Sequence, residues 1–263
     1  MIYIGTTISS TLESNSQDFF KSVEKNDQHQ HFCCAINMKN LKTFINDHKS
    51  FNFINLDIKN VSSKYYDGWP ENRQNFVSLQ TGEFVEYIEC DDDDVVIFCD
   101  YDITMQKPLT NAHIEMFSSI DENTFLLEYD HFPPIMCLHD YCLMFKPICG
   151  DQKIFELFPE NMKSLHVYNA GVIVAKFGAW KKLWKNVSNV YCNISNFRHH
   201  GAIQFLLNHC MQIDGLRIQN LPFDIHNAFW FNGTKSYEKN RKLHIDGIPV
   251  VFSHHKFMKT YSF

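Results

Sequence analysis

One stretch limits what this chain can fold into more than any other. Residues 91–109 read Asp-Asp-Asp-Asp-Val-Val-Ile-Phe-Cys-Asp-Tyr-Asp-Ile-Thr-Met-Gln-Lys-Pro-Leu. Val95–Cys99 is an unbroken apolar run of strand length, rich in β-branched residues, the pattern of a strand covered on both faces. It stops at Asp100-Tyr101-Asp102. In an extended strand that spacing puts both carboxylates on one side of the chain. Held so close, they repel unless a cation sits between them or water screens them. Open α/β sheets bind ligands beyond the carboxyl ends of their strands, so a divalent metal explains the pair economically. The plainer alternative is a strand that ends in a polar turn. The four aspartates at Asp91–Asp94 read as a solvated turn leading into the strand, because a block of like charges prefers water.

The rest of the chain repeats a βαβ rhythm. Short strands are expected at residues 2–5, 31–36 and 51–57, with helices at 18–25 and 39–48 between them, the order of a parallel sheet. Residues 69–89 form a long polar-helical stretch, interrupted by Gly82. A helix over 111–120 and a strand over 125–129 follow. The irregular segment 131–150 carries His131, Cys137, His139, Cys142 and Cys149 without a Cys-x-x-Cys pair, so structural zinc there has only weak support. A strand over 168–175, helices over 177–190 and 201–210, a strand at 216–223 and a last strand at 248–252 complete the reading. We expect a single α/β domain over 1–263, with a central, mostly parallel sheet flanked by helices.

Composition narrows the function classes. The 263 residues are 44% hydrophobic and 21% charged, with a net charge of −6, which argues against a nucleic-acid partner held on a basic surface. Nine cysteines without framework spacing suit reduced thiols. No apolar stretch reaches the roughly 20 residues that cross a bilayer, and residues 1–5 open as a strand rather than as a leader. The expected location is cytoplasmic, with no transmembrane segment.

Four segments could meet at one end of the sheet: Thr6-Thr7, Asp100 with Asp102, Asn169-Ala170-Gly171, and His254-His255-Lys256. Two carboxylates and a neutral imidazole suit octahedral Mn²⁺ or Mg²⁺ completed by phosphate oxygens. Each segment also has an ordinary reading, since histidine pairs near a terminus are often surface residues.

Together these segments resemble GT-A-fold glycosyltransferases, in particular glycosyltransferase family 8, which includes glycogenin and bacterial galactosyltransferases. Asp91–Leu109 is similar to the family's strand with its Asp-x-Asp. Tyr168-Asn-Ala-Gly-Val-Ile-Val174 with Trp180 and Trp184 resembles its Phe-Asn-Ala-Gly-Val strand and following helix. Leu221-Pro-Phe-Asp-Ile-His-Asn227 resembles its Leu-Pro segment, and Val250–His254 its strand ending in a metal-binding histidine. The resemblance implies a GT-A-like, Rossmann-like domain that moves a sugar from a nucleotide-sugar, most simply a UDP-sugar, to a glycan or glycoconjugate acceptor. Asp100, Asp102 and His254 would hold Mn²⁺ or Mg²⁺ on the donor diphosphate, where the metal acts as a Lewis acid. Ile4, Thr6 and Thr7 would lie by the base and ribose, Tyr101 by the ribose, and Lys256 and Arg73 by the phosphates. Asn169 would orient the sugar, while Glu128 and Asp130 would bind acceptor hydroxyls.

The family's Asp-Gln at the start of the 201–210 helix is replaced here by His199-His200-Gly201-Ala202-Ile203-Gln204. An inverting enzyme needs a base for the acceptor hydroxyl, and Asp130 and His200 are the two candidates. A retaining one needs none, so the stereochemistry stays open. Two other classes compete: a sugar nucleotidyltransferase, against which the single glycine in Gly5-Thr-Thr-Ile-Ser9 counts, and a non-catalytic glycan- or protein-binding relative.

Overall fold

The structure is a computed structural model. It describes residues 1–9, 13–36, 38–56, 79, 82–129, 166–191, 207–208, 210–211, 215–227, 236–239, 242–245 and 247–254. Its main sheet is built from β1 (Ile2–Ser9), β2 (Gln30–Ile36), β3 (Phe51–Leu56), β4 (Val95–Cys99), β6 (Thr124–Tyr129), β7 (Tyr168–Lys176) and β8 (Arg217–Asn220). Their order is β3-β2-β1-β4-β7-β6-β8. Every pairing is parallel except those of β7, which runs against both β4 and β6. The expected mostly parallel sheet with flanking helices is what the chain forms.

Alternation along the strands sorts the core into two layers. Ile4 and Ile8 of β1, Cys33 and Ala35 of β2, and Val95, Ile97 and Cys99 of β4 face one way. Phe32, Cys34 and Ile36, with Val96 and Phe98, face the other. Helix α1 (Glu13–Asn26) covers the first layer with Phe19, Phe20 and Val23, and α2 (Leu41–Asp47) adds Phe44. Helix α4 (Phe177–Tyr191) covers the second with Trp180, Leu183, Trp184 and Val187. Those four fall on one face at helical spacing. Gly5 lies beside Phe32 in the β1–β2 register, and the Phe32 ring lies flat over the space its side chain would take.

Several expectations need correction. The described end of the 69–89 stretch is a 3-10 turn, Glu83–Glu86, entered through Gly82 at φ 116°, a value no right-handed helix contains. Asp91–Asp94 is more than a solvated turn. Asp94 is buried and paired with the Met1 amino group, and it accepts the Asp91 N–H. The carbonyls of Asp94 and Asp92 accept the first two N–H groups of α4, from Phe177 and Gly178. Helix starts carry such orphan donors and favour negative charge nearby. The expected last strand is two strands. Ile248–Pro249 (β12) pairs with Lys242–Ile245 (β11), which pairs with Ser236–Lys239 (β10) in a small antiparallel sheet. Pro249 has no N–H to extend that ladder, which suits an edge. Phe252–His254 (β13) departs into another sheet.

Two polar clusters tie loops to this frame. After α1, the Asp27 carboxylate accepts the His29 backbone N–H at 2.8 Å and meets the His29 and His31 rings at 2.7 and 2.9 Å. Burial alone would raise its pKa, but these hydrogen bonds outweigh burial and hold it below the ordinary carboxylate value. Helix α3 (Asn111–Ser118) opens with a capping box in which Thr110 and His113 exchange hydrogen bonds. His113 Nδ1 accepts the Thr110 N–H, so Nε2 is left to donate to Asp224, 3.1 Å away.

Candidate functional site at the carboxyl end of the sheet

β4 hands the chain directly to the Asp-x-Asp. The Asp100 N–H donates to Gly171 O at 2.8 Å, and the Ile103 N–H donates back to Asp100 O at 3.2 Å. The two carboxylates therefore stand on a hydrogen-bonded turn rather than in an extended strand. Asp100, Tyr101 and Asp102 are all half-buried.

The turn feeds β5 (Ile103–Met105), an element without a local signal in the sequence. β5 is one edge of a three-stranded sheet, β5-β13-β9, whose other edge is β9 (His226–Asn227). β13 runs antiparallel to β5, with His254 opposite Ile103, Ser253 opposite Thr104 and Phe252 opposite Met105. Paired Cα atoms in such a ladder lie about 4.5–5.5 Å apart. The backbone thus sets His254 across from the residue that follows Asp102. Gln106 reinforces the seam, its N–H donating to Val251 O and its Nε2 to Val250 O.

β7 supplies the third side because it is reversed: its first residues lie where the parallel strands end. Leu126 pairs with Val174, but Glu128 already pairs with Asn169, so β7 bulges outward between them. The Asn169 side-chain oxygen accepts the Gly171 N–H at 2.8 Å and steadies that bulge. Gly171 in turn fixes Asp100, so Asn169 acts on the Asp-x-Asp turn through one intervening residue. Asn208, which the sequence did not single out, clamps the start of β7 by bonding both the N–H and the C=O of Tyr168.

On β1, Ile4 is fully buried in the core, so its side chain packs the sheet. Thr6 is buried too, and its hydroxyl donates to Cys99 O at 2.8 Å, tying β1 to the end of β4. Thr7 is buried with no hydrogen-bond partner for its hydroxyl among the described residues. A buried hydroxyl without a partner is costly, and this one lies toward the carboxyl end of β1. Glu128 is buried, its Oε2 2.8 Å from His226 Nδ1, a short contact that is off the direction of a hydrogen bond. Its carboxylate is thus engaged with the imidazole of β9. Arg73, Asp130, His131–Gly150, His199–Gln204 and Lys256 lie outside the described residues.

The donor set fits a hard divalent cation: two carboxylates on one turn and a histidine on the adjacent strand suit Mn²⁺ or Mg²⁺ better than zinc. Among the described side chains, no three His, Cys, Asp or Glu already cluster as ligands. No helix among the described residues is long and apolar enough to cross a membrane.

By sequence, no family model and no curated protein matches the chain. Solved structures do match. The galactosyltransferase LgtC, in complex with donor and acceptor sugar analogues, aligns with 96% of this chain and 86% of its own, at 14% identity and a TM-score of 0.55. Mouse xyloside xylosyltransferase 1 aligns with 99% and 100%, at 9% identity and 0.58. The bifunctional glycosyltransferase WbbM aligns with 86% of this chain and 39% of its own, at 11% and 0.54. The fold is that of the GT-A-type glycosyltransferases, as the motifs led us to expect.

Proposed function

We propose that the protein is a metal-dependent glycosyltransferase that moves a sugar from a nucleotide-sugar, a UDP-sugar in the first instance, to a carbohydrate acceptor. The observation that carries this reading is the convergence at one sheet end of the Asp100–Asp102 turn, the Asn169–Gly171 bulge and the His254 register position, within a fold shared with glycosyltransferases. Asp100, Asp102 and His254 are the residues that would hold Mn²⁺ or Mg²⁺. Bound there, the metal neutralises charge on the departing nucleoside diphosphate.

The chain's own groups have separate tasks. The Thr7 hydroxyl, without a partner among the described residues, is available to the nucleotide, while Thr6 is already committed to Cys99. Tyr101 lies between the carboxylates and is assigned to the ribose. Asn169 spends its carbonyl oxygen on Gly171 and keeps its amide N–H groups for a sugar hydroxyl. Lys256 and Arg73 are assigned to the phosphates, and Asp130 or His200 to the acceptor hydroxyl if the reaction inverts.

The test is calorimetric titration with UDP, with and without Mn²⁺, for the natural protein and Asp102→Asn. Metal-dependent binding that the substitution abolishes is the expected result. Binding that ignores metal overturns the roles of Asp100 and Asp102. Absence of UDP binding overturns the choice of donor.

A further inference from the structure

The small sheet that carries His254 is held to the rest of the molecule at both edges, by different means. At one edge β5 is continuous with the Asp-x-Asp turn. At the other, β9 pairs with β13 through Phe252–His226 and Ser253–Asn227. β9 also brings His226 against Glu128, a residue of β6 in the main sheet. The imidazole is fully buried and Glu128 is 4% exposed. A carboxylate and an imidazole are rarely taken so far out of water without a specific task, since apolar residues would fill the space at less cost.

β13 lies between the two fixed edges. Its position relative to Asp100 and Asp102 is set on one side by β5 and on the other by where β9 sits. β9 is only two residues long, but the Val251 and Phe252 N–H groups also donate to Asp224 O and Ile225 O just before it, so β9 and β13 are placed together. Glu128 lies at the residue where β6 resumes pairing with β7 after the bulge, opposite Asn169. One carboxylate therefore adjoins the Asn169 bulge by backbone pairing and the His254 sheet by its side chain.

We propose that the Glu128–His226 contact fixes the β5-β13-β9 sheet, and with it His254, at the separation from Asp100 and Asp102 that a single cation requires. Glu128 and His226 are then positioning residues: neither touches metal or substrate. The inference rests on the metal site proposed above. Partners that orient ligands from behind typically govern metal affinity by about 10–100-fold, and this pair acts on a whole strand.

The experiment measures Mn²⁺ affinity directly, from the loss of the free-ion electron paramagnetic resonance signal, with UDP present. It compares the natural protein, Glu128→Gln, His226→Asn and Leu183→Ala. Leu183 lies on α4, in the core layer on the other face of the main sheet from Met105 and Phe252 of the small sheet, so its substitution perturbs stability without touching that sheet. The expected result is a dissociation constant for Mn²⁺ raised about tenfold or more by Glu128→Gln and by His226→Asn, and unchanged by Leu183→Ala. An unchanged constant in folded Glu128→Gln and His226→Asn overturns the proposal. So does an equal loss in Leu183→Ala, which would mark the effect as general destabilisation. Should the single variants not fold, the apolar pair Glu128→Leu with His226→Phe restores packing without the polar contact, and its Mn²⁺ affinity decides in the same way. Failure of the natural protein to bind Mn²⁺ with UDP would instead refute the metal site itself, and is read first.

Discussion

An alanine at Gly5 would place its methyl carbon 2.0 Å from Phe32 Cζ, and 2.2 and 2.6 Å from the two Cε atoms. Carbon atoms pack at about 3.5–4.0 Å, so the ring would have to retreat by roughly 1.5 Å. It has little room: Phe32 is 2% exposed, with the rings of Phe84 and Phe98 centred 5.5 and 6.3 Å away. Overfilling a packed core costs about 1–3 kcal/mol. With three ring atoms in the way, we expect Gly5→Ala near the top of that range, about 3 kcal/mol. For a chain of this size that is a fall in Tm of about 6–12 °C, at roughly 2–4 °C per kcal/mol. Thermal and urea unfolding, followed by far-UV circular dichroism, measure it. Phe32→Leu alone should destabilise through the space it leaves. Combined with Gly5→Ala it should cost less than the sum, because each change relieves the other. A Gly5→Ala protein that melts within about 2 °C of the natural one would refute the reasoning, and so would strict additivity.

Asp27 gives a pH-dependent prediction. Its pKa lies below the ordinary 3.8 in the folded protein, so it adds stability that is fully present above that value and is lost as pH falls through the lower folded-state value. Urea unfolding should show Asp27→Asn less stable than the natural protein at pH 6, with the gap closing below pH 4; a constant gap would refute this. At α3, Thr110→Ala should cost about 1 kcal/mol as a lost cap. His113→Ala should cost at least as much, since it removes the reciprocal hydrogen bond and the Asp224 contact together. In the double variant the two losses should overlap, and full additivity in urea unfolding would show that the box does not act as a unit.

Much of the main sheet was legible because its strands are buried on both faces and announce themselves as apolar runs: 31–36, 51–57, 95–99 and 168–175 all formed within a residue or two. Strand direction was not legible. Val172, Ile173 and Val174 are as apolar read backwards as forwards, so nothing in β7 says that it runs against its neighbours. The small sheet was hidden for a related reason. Ile103–Met105, His226–Asn227 and Phe252–His254 are each too short to show a period, and only their mutual pairing makes them strands. The Asp-x-Asp was found at once, but its turn geometry depends on Gly171 accepting from Asp100, a partner on a distant strand. Asn208 and the burial of Glu128 had no local signal either, since a polar side chain looks the same in sequence whether it faces water or a clamp.

The reversed strand and the small sheet also determine how the molecule can come together. Thr6 and Cys99 are joined across 93 residues, and Gln106 and Val250 across 144. Contacts of such long range slow folding, because the entropy of closing the loop is lost before the contact rewards it. During synthesis β1, β2 and β3 can pair early, yet β1 keeps an open edge until β4 emerges. The Asp-x-Asp turn then waits for β13, which is among the last described segments of the chain. Until it arrives β5 has no neighbour in its small sheet, an unpaired edge of the kind that recruits other chains. A nascent or truncated chain would therefore carry both carboxylates without the strand that bears His254, the third residue of the proposed site.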